Sequence, residues 1–312
     1  MVVALATTSG VVYLAAGVPP NKPRQVADRE EAKSPTRPSR SSNFSRGARI
    51  RRQQVFAQVQ GAAGFRRLGE PEPGDWLYSF REPGQTLTDY AAQRALNRRT
   101  PVRQTLHLLP FSDLQPAQRE MLGPIRRHTA LFFDTKVQVL PVRAVRRSWY
   151  RRQRGQYDAD VIVQQLAREV PASSLGLFGL MGSDLYGLGL NFVFGEALLH
   201  ERAGIYSLRR YGRERAMLIR RSLKLSAHEI GHMFGLRHCV FYECVMNGVN
   251  SLEEMDRSPL HLCPVCLGKL QWNLKFDAVQ RYRSLGRFYR DAGLETEANF
   301  VEARARELQG QR

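Results

Sequence analysis

Lysine is scarce in this 312-residue chain: only six of its 47 basic residues are Lys and the rest are Arg. Acidic residues are also few, 29 against those 47, for a formal net charge of +18. Cysteine occurs four times, always between positions 239 and 266, and histidine seven times. No run of 18 apolar residues is unbroken, which excludes a bundle of membrane-spanning helices. Clustered cysteines exclude a small disulfide-built scaffold, whose bridges would spread through the fold. A hydrophobic content of 43% excludes a wholly disordered chain. The positive excess points in two directions. It can steer a protein to nucleic acid, acidic membranes or acidic substrates, or it can mark a solvated Arg-rich surface. No recognised nucleic-acid motif accompanies the charge, so we read it as surface.

The chain divides unevenly. Residues 1–69 read as a flexible basic arm: Pro19 to Arg52 is rich in Pro, Ser and Arg and cannot bury enough apolar surface to offset its ordering entropy. Val2 to Val18 is mildly apolar, but Thr7, Thr8, Ser9 and Gly10 interrupt it and no Lys or Arg precedes it. It reads as a loose terminus and a poor signal peptide, a targeting role being the alternative. Residues 70–312 read as one folded domain, with subdomains of about 70–236 and 237–312. Strands are expected at Val102–Leu109, Leu131–Leu140, Leu175–Met181, Asn191–Phe194 and Ala203–Leu208. Helices are expected after Ser112 or Asp113, from Asp158 or Asp160 to Arg168, over Arg213–Leu236, from Cys266 to Arg290, and from Glu295. The Arg-rich stretch Arg143–Arg154 reads as an exposed loop.

Chemistry concentrates in His228-Glu229-Ile230-Gly231-His232-Met233-Phe234-Gly235-Leu236-Arg237-His238. Residues four apart on a helix lie about 40° apart around the axis and about 6 Å along it, so His228 and His232 can share one metal. Glu229 follows the first ligand and can face a water held there. A straight helix cannot supply a third ligand, but Gly235 can take positive φ and turn the chain so that His238 does. Three imidazoles with a free fourth position suit catalytic zinc. Met246, eight residues beyond His238, fits a methionine turn beneath the metal; core filling is the alternative. Cys239-x4-Cys244 and Cys263-x2-Cys266 supply four thiolates, the set for a closed structural zinc. Disulfide pairing and a redox pair remain alternatives. Because His238 and Cys239 are neighbours, a structural zinc would anchor the third catalytic ligand.

The run HEIGHMFGLRHCVFYECVMNG followed by LCPVC resembles the archaemetzincins, whose signature is HExxHxxGxxHCx4CxM, a spacer and CxxC. The spacer between Met246 and Cys263 is 16 residues here. Gly74–Tyr90, Ser183–Ala197 and Ser251–Trp272 also look familial, so the resemblance covers about 70–290. It implies an α/β (α+β) fold: a metzincin-like mixed sheet, an active-site helix and a compact zinc-bound C-terminal subdomain. It also implies a zinc metallopeptidase with two zinc ions, one catalytic and one structural, acting on peptide or protein substrates, with aminopeptidase action suggested for some members.

In that setting Glu229 would be the general base. Asn191–Phe194 is expected to be the edge strand along which an extended peptide pairs. Glu196 is a candidate to meet a substrate amine, against a plain surface carboxylate. Tyr242 is a candidate oxyanion donor against packing, and Asp184 a buttress or a turn cap. His261 is an alternative ligand beside the cysteines. His107, His128 and His200 have no metal-like spacing. The rival reading is a non-enzymatic zinc-stabilised module that contacts nucleic acid through its arginines. Four zinc-held thiolates suit a reducing cytoplasm. Specificity and oligomeric state leave no mark on the sequence.

Overall fold

The computed structural model describes residues 64–310 except Leu188 and His200, together with the backbone of Val11–Ala16. Most of the 1–69 arm, and His200, lie outside the described residues. The strands are β1 (Val11–Ala16), β2 (Thr105–Pro110), β3 (Lys136–Val139), β4 (Tyr150–Arg151), β5 (Gln156–Asp158), β6 (Ser174–Met181), β7 (Leu185–Tyr186), β8 (Phe192–Leu198) and β9 (Ala203–Ser207). The helices are α1 (Trp76–Ser79), α2 (Leu87–Ala91), α3 (Pro116–Glu120), α4 (Leu122–Phe132), α5 (Ala159–Glu169), α6 (Arg215–Met233), α7 (Leu252–Arg257), α8 (Pro264–Leu274), α9 (Ala278–Asp291) and α10 (Glu295–Gly310). None of the described helices is long and apolar enough to cross a membrane.

One mixed sheet runs β3-β2-β6-β9-β8-β7-β5-β4, with β1 paired to β8 off that path. β3, β2, β6 and β9 pair in parallel, and β8 returns antiparallel to β9. β6 explains its central place by composition: all eight of its residues are buried, as a strand covered on both faces requires. Neighbours alternate between the faces. Phe178, Phe194 and Tyr206 join the larger apolar cluster with α6 and the C-terminal helices, while Leu177, Val193 and Ile205 join a smaller one with α5. The larger cluster runs from Tyr90 to Ala305, so a single core crosses the expected boundary at 236. This is the mixed α/β architecture expected.

Several elements differ from expectation for local reasons. Asp113 does not cap a helix; its carboxylate accepts from the Gly182 and Ser183 amides, and Gln115 caps α3 through a reciprocal bond with Gln118. Leu131 and Phe132 finish α4, so β3 starts only at Lys136, after Asp134 takes φ of 47°. The expected long helix beyond Cys266 is two, split where Lys275 closes α8 at φ of 61° and Asp277 caps α9. The stretch 143–154 is largely exposed, as expected, but anchored at several points. Arg143 and Arg146 pair with Glu169, Arg151 pairs with Asp158, and Trp149 is buried. The folded body also begins before 70: Leu68 donates to the Phe241 carbonyl, Glu243 donates to the Arg66 carbonyl, and Arg66 pairs with Glu243.

Candidate active site

The site is built on the end of α6 and the turn that follows. Glu214 starts the helix by accepting from the Ala216 and Met217 amides. Fourteen of its 19 residues are buried, including His228, Glu229 and His232. Gly235 then takes φ of 83°, as expected, and a Cβ there would come within 2.6 Å of Leu96. Residues far upstream hold this turn. Gln85 and Gln93 each donate to the Gly235 carbonyl at 3.1 Å, Gln85 accepts from the Arg237 amide, and the Tyr90 hydroxyl donates to the Phe234 carbonyl at 2.7 Å. The turn brings His238 back beside the helix.

Each ring has one nitrogen committed. His228 Nδ1 lies 2.8 Å from the Val245 carbonyl, His232 Nδ1 2.6 Å from the Leu236 carbonyl, and His238 Nδ1 2.7 Å from Glu82 Oε1. A carbonyl or carboxylate oxygen only accepts, so each Nδ1 carries the proton and each Nε2 an outward lone pair. The lone pairs converge. His228 and His232 Nε2 are 2.9 Å apart, His238 Nε2 is buried without a partner, and one ligand atom from each ring lies within 4.8 Å of the others. Facing lone pairs repel until a cation sits between them. Protonation is no remedy, because burial, together with the neighbouring rings, drives His228 down to about 3 and His232 well below its ordinary value. The set therefore fits zinc, with its fourth position open.

Glu229 is fully buried, and neither carboxylate oxygen has a hydrogen-bond partner. Burial pushes its carboxyl well above the usual range. It reaches past β8 where Gly195 has no side chain: a Cβ there would lie 2.8–2.9 Å from the Glu229 carboxyl group. An orphaned carboxyl beside three metal-ready nitrogens can accept a proton from water held there. Met246 is buried, and its Sδ lies 2.6 Å from where a Gly231 Cβ would sit, so that glycine lets it close under the helix between the two histidines.

The four cysteines are buried and free, and one Sγ from each lies within 4.8 Å of the others. Hydrogen bonds from the other three thiols pull the Cys239 thiol down, while burial pushes Cys244 up. That set suits a closed tetrahedral metal, not a disulfide. Asn247 ties the intervening loop: its amide donates to the Cys239 and Tyr242 carbonyls and its oxygen accepts from the Cys244 amide.

Weaker candidates fall elsewhere. Because Gly195 faces Glu229, strand alternation turns Glu196 to the opposite face; it is fully buried there, its carboxyl pushed well up by burial and then by Asp160, so no substrate amine reaches it. Tyr242 packs under the Arg67 guanidinium. Asp184 is gripped twice by Arg210 and by Gln156, away from the histidines. His261 stacks on Phe300, His107 bonds Ser174, and His128 bonds Tyr289. Phe192–Leu198 is not an open edge, because β1 pairs along it. Sequence reasoning missed Glu82, which receives both His238 and the Trp76 indole N–H at 2.6 Å. Burial pushes its carboxyl up, but His238 and Trp76 outweigh it and hold Glu82 low. No spacing rule links position 82 to position 238.

Comparison with known proteins meets this arrangement from outside. The model for Peptidase family M54 matches residues 120–272. The chain is 31% identical over 267 residues to Archaemetzincin-2 of Homo sapiens, covering 72% of this chain and 74% of the relative. It is 39% identical over 172 residues to Archaemetzincin of Methanopyrus kandleri, covering 54% and 97%. The crystal structure of that Methanopyrus kandleri protein matches with a TM-score of 0.51 at 32% identity, over 57% of this chain and 99% of the other.

Proposed function

This chain belongs to the archaemetzincins, peptidase family M54, and from that premise we propose which of its residues carry peptide hydrolysis and how. The enzyme is a zinc metallopeptidase. In the proposal His228, His232 and His238 hold the catalytic zinc through Nε2, and Cys239, Cys244, Cys263 and Cys266 hold a second, structural zinc. Zinc supplies Lewis acidity, which polarises a carbonyl and brings the pKa of water to about 7. Glu229 takes the proton of the attacking water and delivers it to the leaving nitrogen. Burial raises its pKa, which makes it a stronger base toward that proton than an exposed carboxylate. Gly235 sets the turn that returns His238, and Met246 shapes the floor without ligating.

One observation carries this reading: three buried Nε2 atoms converge, each with its Nδ1 proton already donated, beside an unpartnered buried carboxyl. Aminopeptidase action is its narrower form, supported by the family resemblance alone now that Glu196 lies away from the site. The proposal also puts the enzyme in a reducing compartment, the cytoplasm, which suits four free thiols. A peptide-library digest with wild type and Glu229→Ala tests it. The variant should retain both metals and lose about 10²- to 10⁴-fold in rate. Hydrolysis by Glu229→Ala at the wild-type rate would overturn the general-base role. Products shortened only from the N-terminus would establish the aminopeptidase form, and internal cuts would refute it.

A further inference from the structure

β8 is the strand that passes over the proposed general base, and both of its flanks are taken. Gly195, Glu196 and Ala197 pair on one side with Tyr206, Ile205 and Gly204 of β9. On the other side they pair with Leu14, Tyr13 and Val12 of β1, antiparallel. β7 reaches β8 only at Val193. Over the three residues beside Glu229, then, the outer flank of β8 is satisfied by the chain's own N-terminal segment. A bare strand flank is a row of unpaired amides and carbonyls, and any extended backbone can complete it. Leu14 pairs with Gly195, the residue whose missing side chain admits Glu229, so whatever chain occupies this flank runs past that carboxyl.

The segment is suited to the place. Val11, Val12, Tyr13 and Leu14 favour extended structure, and the strand carries no charge. It is joined covalently to the folded body, so it competes with a peptide as an intramolecular occupant. We propose that Val11–Ala16 is the resident occupant of the outer flank of β8, the strand along which the family resemblance has an extended peptide pair, and that a peptide substrate must displace it. This rests on the peptidase reading above. Competition of this kind raises the apparent KM by the reciprocal of the fraction of molecules left open and leaves kcat unchanged.

The test is the full-length double variant Tyr13→Pro/Leu14→Pro. Successive amides of a strand point to opposite sides, so two consecutive prolines remove a donor aimed at β8 whatever the phase. In the variant, the amides of residues 195–197 that face β1 should exchange with solvent about tenfold faster, the factor that one or two net hydrogen bonds supply. KM for an extended peptide should fall by a similar factor at constant kcat. The untethered hexapeptide VVYLAA, added to the variant, should restore both values. Equal exchange in the two proteins would overturn the pairing, and faster exchange with unchanged KM would overturn the competition. If neither protein cleaves any library peptide, the reaction reading fails separately. Exchange in the Glu229→Ala background, where VVYLAA stays uncut, then decides the docking: protection of residues 195–197 supports it and no protection overturns it.

Discussion

Replacing Glu82 should weaken metal binding at a centre the residue never touches. Glu82 Oε1 accepts from His238 Nδ1 at 2.7 Å and from Trp76 Nε1 at 2.6 Å, and the His238 side chain is only 3% exposed. The carboxylate does two things for His238. It fixes the tautomer that turns the Nε2 lone pair to the metal, and its charge makes that nitrogen a better donor. Glu82→Ala removes both and leaves two donors without an acceptor. Loss of a ligand's outer partner costs about 10- to 100-fold in metal affinity, or about 1.4–2.7 kcal/mol. The stranded His238 donor adds about 1–3 kcal/mol of lost stability. Glu82→Gln keeps an acceptor oxygen but not the charge, so its affinity should fall between wild type and Glu82→Ala. Competition against a chromophoric zinc chelator, following two binding events per chain, measures this. The affinity of the histidine site should move and that of the cysteine site should not. A cobalt-loaded Glu82→Ala protein should show an altered ligand-field spectrum, which simple loss of stability would not produce. If folded Glu82→Ala binds both ions as wild type does, Glu82 does not position His238.

Gly195→Ala puts a methyl 2.8–2.9 Å from the Glu229 carboxyl group, which must move aside. A displacement of about 1 Å costs up to about 100-fold, so kcat should fall with both metals retained; wild-type kcat would show that Glu229 tolerates the shift. Cys239→Ala should loosen the histidine-held ion as well as the cysteine-held one, because His238 is the adjacent residue; two metal affinities measured in that variant check it, and an unchanged histidine-site affinity refutes the coupling. His128 is buried against Tyr289, and burial, with Arg281 beside it, lowers its pKa from 6.5 to about 3. Between those values the unfolded chain takes a proton that the folded one refuses, so stability is complete above pH 6.5 and declines as the pH falls toward 3. Between pH 6.5 and 5 the loss is about 2 kcal/mol, and denaturant titrations of zinc-saturated wild type and His128→Gln should differ in slope by that amount; parallel pH profiles would refute it.

The metal-facing half of the site was legible because helix geometry turns spacing into position. His228 and His232 are one turn apart, Glu229 sits between them, and the positive φ of Gly235 is a demand that glycine answers. Strands with all-apolar runs, such as β6, were legible for a similar reason. Helix and strand limits slipped where a single residue decides them: the positive φ of Asp134 delays β3 beyond the strand start that apolar residues suggest, and the positive φ of Lys275 ends a helix that periodicity alone would carry further. The supporting half was not legible, because it depends on residues brought together from distant parts of the chain. Glu82, Gln85, Tyr90 and Gln93 grip the turn at 234–238 from about 150 positions upstream, in a segment that precedes residues 120–272 of the family match.

The most instructive case is Val2–Val18, read as a loose terminus because Thr7, Thr8, Ser9 and Gly10 interrupt its apolar residues and no Lys or Arg precedes it. Isolated, six apolar residues are too short to specify a strand, and only a ready partner makes them one. That partner is the flank of β8, whose other side β9 holds and beneath whose Gly195 the Glu229 side chain of α6 lies. A strand that forms only where an edge is offered is also a strand that another extended chain can replace.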